Sequence, residues 1–479
     1  MSDPREPAAG GADGQQPENH EPTAPEQGPT SDAVADADVA IEEPGAVAPG
    51  PAAPAQAAAP AASAPAAVKP TEAEVEPPSR WHTMLHQIAT GNAIISVLAV
   101  LLALVVGAIM IAFTDERVQE ASVYFFARPG DTFVAIWQSV SGAYTALFQG
   151  SVYNFNRDTF AAGIRPLTET LTFATPLIAG GLGVGLAFRV GMFNIGGRGQ
   201  MLIAASVAGW IGFGVDLPWG LHMLVALVGG LLGGALWAGI AGLLKARTGA
   251  HEVIVTIMLN YIAFYLVSWM LRTPGLLQAP GSSNPKTPPM KETAIFPSLL
   301  GPQYNLHFGF ILVVGATVLV WWILSRSSLG FKFRAVGENP NAARVAGINV
   351  KSMYVYAMLI AGALLGLAGV SQVLGTVTTG FTAGIDAGIG FDAITVALLG
   401  RSTPWGIFVA GILFGAFKAG GFSMQAAEGV PVEIVLVVQS LIVLFIAAPP
   451  LVRTIFRLPD PAATTRRPRP IVTKEVKAK

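Results

Sequence analysis

Ala93-Ile-Ile-Ser-Val-Leu-Ala-Val-Leu-Leu-Ala-Leu-Val-Val-Gly-Ala-Ile-Met-Ile-Ala-Phe113 passes 21 residues without a charged side chain. About 20 such residues, rising 1.5 Å each, cross the roughly 30 Å of hydrocarbon in a bilayer. A helix that packs on one face of a soluble core keeps a polar stripe, and this one has none. The stretch therefore predicts a membrane helix.

Nine further stretches read the same way, near 166–188, 199–215, 220–244, 252–272, 308–325, 353–374, 388–400, 404–421 and 432–449, giving an expectation of ten spans and an all-α polytopic fold. Composition agrees, since 52% of the 479 residues are apolar and only 12% are charged. The mean hydropathy is +0.54. The 388–400 stretch is too short to cross unaided and contains Asp392, which predicts a broken or buried segment. Residues 132–148 are also apolar, but counting them would invert every later loop. Trp137, Gln138, Ser141 and Tyr144 instead suit an amphipathic helix at the outer headgroups.

The short loops set the orientation through their lysines and arginines. Arg189 and Arg198, then Lys245 and Arg247, then Arg326, Lys332, Arg334, Arg344 and Lys351, and finally Arg401 all fall on one side if there are ten spans. Both termini are then expected inside the cell, in a multi-pass protein of the inner membrane. Residues 1–79 form a low-complexity Pro/Ala-rich tail, and the first 80 residues hold three basic side chains against fourteen acidic ones. A chain so poor in large apolar groups is expected to be disordered. It lacks a basic n-region with a short apolar run, so the 93–113 stretch is expected to stay as a signal anchor. The membrane domain is read as 80–457, with a cytoplasmic loop at 326–352, and 458–479 as a basic tail.

Several motifs carry a bland reading beside a chemical one. Gly180-Gly-Leu-Gly-Val-Gly185 resembles a dinucleotide fingerprint, yet it lies within a span without a preceding strand, so close helix packing is expected. In Gly191-Met-Phe-Asn-Ile-Gly-Gly-Arg-Gly-Gln200, Asn194 and Gln200 can bond peptide groups freed at a helix break; no Gly-Lys-Ser/Thr follows to make a phosphate loop. In Gly337-Glu-Asn-Pro-Asn-Ala-Ala-Arg-Val-Ala-Gly347, Asn339 suits an N-cap, Pro340 the first helical position and Gly347 the stop. This predicts a short helix in the loop, either a plain surface turn or a docking element.

Four motifs, Phe193-Asn-Ile-Gly-Gly-Arg-Gly-Gln200, His251-Glu-Val-Ile-Val-Thr-Ile-Met-Leu-Asn-Tyr261, Arg334 to Asn349 and Gly390-Phe-Asp-Ala-Ile-Thr-Val-Ala-Leu-Leu-Gly400, resemble in order and spacing the permeases of nucleoside and simple-sugar ABC importers, within the ribose-type and branched-chain-amino-acid-type permease superfamily. The resemblance covers about residues 165–450. It implies a type II importer permease that pairs with an identical or homologous permease. Such a permease binds ABC ATPase subunits through a coupling helix, here Glu338, Asn339, Pro340, Asn341, Ala342, Ala343 and Arg344 onward to Ala346. It accepts a nucleoside or sugar from an extracytoplasmic binding lipoprotein. The family commonly carries an acidic residue where this chain has Arg198, so no role is carried over to that position.

Among intramembrane polar groups, Asn194, Gln200, Asn260 and Asp392 are candidates for the translocation path, the alternative being helix glue or a capped helix break. Enzyme chemistry is disfavoured. There is no cysteine, the six histidines lie in the tail or near span ends, His251-Glu252 lacks the second histidine of a zinc motif, and no ATP-binding loop occurs. No catalytic residue, metal, cofactor or nucleic-acid partner is expected; lipid surrounds the chain. The rivals are an ion-coupled secondary transporter of small polar solutes, which needs ionisable relays near the midplane, and a channel, which needs a filter or charge rings.

Overall fold

The computed structural model describes residues 92–458. The N-terminal tail and the basic segment after 458 lie outside the described residues. The chain runs through α1 (Asn92–Thr114), α2 (Glu116–Val123), α3 (Pro129–Ser151), α4 (Arg165–Arg189), α5 (Gly197–Gly214), α6 (Leu221–Thr248), α7 (Glu252–Met270) and α8 (Gly309–Arg326). It continues through α9 (Ser328–Glu338), α10 (Pro340–Val345), α11 (Val350–Ser371), α12 (Ile389–Leu399), α13 (Pro404–Glu428), α14 (Val432–Ala447) and α15 (Pro449–Ile455). A π turn, Gln372–Thr376, extends α11.

Each of the ten predicted stretches is a helix, but ten full spans are not. Among the described residues, seven helices are long and apolar enough to cross a membrane, and an eighth span forms if α14 and α15, bent by 94°, count together. The remaining two are α5, whose first turn spends itself on Arg198 and Gln200, and α12, which has 11 residues and reaches only about 17 Å. The 132–148 stretch is part of the longer helix α3, which is not among the span-quality helices. It buries Ala143 and Ala146 while Phe133 and Trp137 stay exposed.

One order of elements occurs twice: a long buried helix, a break, a shorter helix and two further helices. The first set is α4 to α7 and the second α11 to α14. In α4 and α11 the most apolar stretch is 83% buried, against 28% in α1, α7 and α8, so these two form the centre of the bundle. Their packing explains the Gly180–Gly185 run. A Cβ at Gly183 would come within 2.6 Å of the Ala361 carbonyl oxygen on α11, so only glycine allows that approach. Leu177, Ile178 and Leu182 of α4, Leu365 of α11, Val396 of α12 and Phe414 of α13 share the resulting core.

The two ends of the bundle differ in chemistry. At one end Arg189 donates from Nε to the Ser402 carbonyl at 2.9 Å, and Lys245 pairs with Glu252 at 2.8 Å. This basic end also carries α9 and α10. The opposite end is knitted by the 271–308 connection. His222 bonds Thr293 Oγ1 at 2.7 Å, Met290 N donates to Thr378 O at 2.8 Å, and Tyr304 Oη donates to Ala161 O at 2.9 Å.

Candidate functional site

The break between α4 and α5 lies inside the bundle. Asn260, its main partner, is eight residues into α7, about 12 Å from the basic end at 1.5 Å per residue. Peptide groups freed there cannot rely on lipid and must be paired by the protein. Asn260 does most of this: its Oδ1 accepts from Gly199 N at 2.8 Å and its Nδ2 donates to Ile195 O at 2.9 Å. Asn194 Oδ1 accepts from Gly196 N at 3.0 Å and from Gln200 Nε2 at 2.9 Å, and Asn194 Nδ2 donates back to Gln200 Oε1 at 3.2 Å. Ile195 N is within 3.4 Å of Thr256 Oγ1. Asn194, Gln200 and Asn260 are all buried. The structure thus brings together three of the four path candidates, as a clasp whose amides are directed to backbone and to each other.

The second break, residues 377–388, leads down to α12. Asp386 terminates it, its carboxylate accepting from Gly388 N at 3.3 Å and its carbonyl from Ile389 N at 2.7 Å. The first turns of α5 and α12 meet, for a Cβ on Gly197 would stand 2.6 Å from the Gly390 carbonyl oxygen. Two positive helix ends therefore face one region, and carboxylates there are favoured. Asp386 is buried and pairs with Arg198 Nε at 3.3 Å, while the Arg198 guanidinium lies 4.6 Å from the Phe264 ring centroid. Arg198 accordingly belongs to the bundle interior rather than to the turn with Arg189, which corrects its reading as a loop charge. Asp392, the fourth path candidate, makes none of the clasp bonds. It pairs at 2.7 Å with Lys418, a residue the sequence reading passed over.

In the loop at the basic end, α10 is shorter than the predicted Glu338–Ala346 but ends as expected. Asn339 Oδ1 accepts from Asn341 N and Ala342 N, each at 3.0 Å. Gly347, at φ +81°, closes the helix as Ile348 N donates to Ala343 O and Gly347 N to Arg344 O, each at 3.0 Å. Ala343 points into the core, whereas Glu338, Asn341, Ala342 and Arg344 are exposed and Val345 is 92% exposed. An apolar tip on a rigid, capped turn suits a protein contact.

The family model for the permease component of the branched-chain amino acid transport system matches residues 167–447. The guanosine ABC transporter permease protein NupP of Bacillus subtilis is 39% identical over 314 residues, 65% of this chain and 86% of its own length. The nucleoside ABC transporter permease protein NupB of Lactococcus lactis is 35% identical, over 59% of this chain and 79% of its own. A glucose ABC transporter permease protein of Haloferax volcanii is 34% identical, over 58% and 75%. No solved structure matches the chain. With the family match spanning more than half of the sequence and both helix breaks, the chain belongs to the branched-chain amino acid transport system permease component family and is a transmembrane permease of the ABC-importer class.

Proposed function

We propose that this chain is the membrane path of an ATP-driven importer of nucleosides or related simple sugars, working with ATPase subunits on separate chains, a second permease and an extracytoplasmic binding protein. One observation carries the path: the side chains of Arg198, Lys418 and Asp392 retain 31%, 18% and 26% exposure although they sit at the meeting of two helix starts deep in the bundle. Charges at such depth face a protein interior or a water-filled cavity, not lipid. A second permease closing over this face would make that cavity. Asp386 and Asp392 already hold basic partners, which argues against a vacant cation site of the kind a secondary transporter needs.

The substrate class comes from the relatives, whose names specify guanosine, nucleosides and glucose. The basic end, with loop 326–352, is assigned to the cytoplasm of the inner membrane, and both termini with it. In that arrangement α10 docks into an ATPase groove, with Val345 as its apolar contact. The test is Val345→Asp. Burying the valine contributes about 1.5–3 kcal/mol and a buried unpaired aspartate opposes docking, so transport should fall roughly tenfold or more at unchanged membrane level. Wild-type transport in this variant and in Arg344→Glu would reduce the loop to a connector.

A further inference from the structure

Beside the Lys418–Asp392 pair, α4, α13, α14, the start of α12 and the π turn line a partly open cavity of about 190 Å³. Phe173, Phe417 and Phe422 form its aromatic walls, and its polar side chains are Gln372, Lys418 and Gln439. The Phe173 and Phe422 rings stand 6.0 Å apart between centroids with planes at 31°, like a partly opened book. Gln439 is only 4% exposed, and its Nε2 has no hydrogen-bond partner. Native interiors seldom leave such a donor unpaired, because its lost water is not replaced. Gln439 is one of the residues lining the cavity, so a small rotation of its amide brings the buried donor within reach of a visiting acceptor.

We infer that this cavity holds the base of a nucleoside in transit, the ring lying against Phe173 and Phe422 and an edge acceptor taking the Gln439 amide proton. The inference rests on the permease reading above and narrows its substrate. A free sugar carries a hydroxyl on nearly every carbon, and each needs a partner on leaving water. The cavity offers three polar side chains among eleven, and Lys418 is already engaged with Asp392. A planar heteroaromatic ring has two apolar faces and a few edge atoms, which matches this lining. Size agrees, since 190 Å³ falls below the ~300 Å³ at which whole-ligand pockets begin. The base enters, and the ribose stays on the open side where Phe422 is 55% exposed.

The test is uptake in cells devoid of other nucleoside transport, expressing the full chain with its cognate ATPase and binding protein. Tritiated guanosine and uridine should accumulate and labelled ribose should not. Gln439→Leu should lower sub-saturating nucleoside uptake roughly 5- to 10-fold at equal membrane level, and Gln439→Asn should lose less. A second measurement does not depend on the variants folding. Irradiation of the purified wild-type complex with 8-azidoadenosine should label the 417–439 stretch, with protection by guanosine and not by ribose. Wild-type uptake in Gln439→Leu, or labelling confined elsewhere, overturns the base site while leaving the permease reading intact. Ribose uptake equal to guanosine uptake overturns it too. Failure of the wild-type complex to take up any of these solutes overturns the permease reading and the base site with it.

Discussion

Removing one member of the Lys418–Asp392 pair should damage the protein more than removing both. At 2.7 Å, and with an effective dielectric constant of about 20, their attraction is about 6 kcal/mol. Desolvating two ions costs several kcal/mol each, so the pair as a whole contributes little net stability. A single deletion is different, because it strands the other charge without its partner, Lys418 in particular being left beside Phe417 and Phe422. Stranding a mostly buried partner costs about 3–5 kcal/mol, and the residual exposure of 18% and 26% places this pair near the lower figure. Lys418→Met and Asp392→Asn should each lower the melting temperature of the detergent-purified protein on the order of 5 °C, and the double variant should recover most of that loss. Transport should follow the same order. If the two losses simply add, the pair does not act as a unit and the polar face drawn around it is wrong.

Asn260→Leu leaves Gly199 N and Ile195 O unpaired, at about 1–3 kcal/mol each, so it should sharply reduce folded protein in the membrane, whereas Asn260→Asp keeps the acceptor and should be intermediate. Normal folding of the leucine variant with altered substrate preference would make Asn260 a substrate contact instead. A cysteine at exposed Ser283 should react with an impermeant thiol reagent from outside intact cells and one at exposed Ser328 should not, a clean comparison in a chain without native cysteine; labelling of both would refute the orientation. Burial pushes the His307 imidazole down to about 4, so between that value and about 6.5 the unfolded chain binds a proton that the folded one does not. Stability is then fully present above about pH 6.5 and falls on acidification, by roughly 2 kcal/mol at pH 5. His307→Gln should flatten this difference in melting at pH 7 and pH 5, and an unchanged difference would assign it to another group.

The apolar helices were legible because lipid demands long uninterrupted runs, as in 93–113. The two broken elements were only half legible, since the residues that make the breaks work also lower their hydropathy. Asn194 and Gln200 were readable as caretakers of a helix break; Asn194 does pair a freed backbone N–H, while Gln200 bonds the Asn194 amide instead. That Asn260 completes the same clasp from 61 residues away was not readable from local spacing. The Arg198–Asp386 pair spans 188 residues and likewise needs the fold to be seen. Lys418 did leave a signal, a lone cation within Gly415-Ala-Phe-Lys-Ala-Gly420, but averaging over the span hid it. The α10 cap and stop were legible because Asn-Pro and Gly act locally.

As proposed, the chain supplies a path whose energy comes from another subunit. This is tested most directly in proteoliposomes that hold the chain alone, or the chain with its ATPase and binding protein, by following labelled guanosine. Accumulation is expected only with the full set and ATP on the ATPase side, unaffected by a proton or sodium ionophore. Accumulation by the chain alone, driven by an imposed ion gradient and abolished by the ionophore, would contradict it.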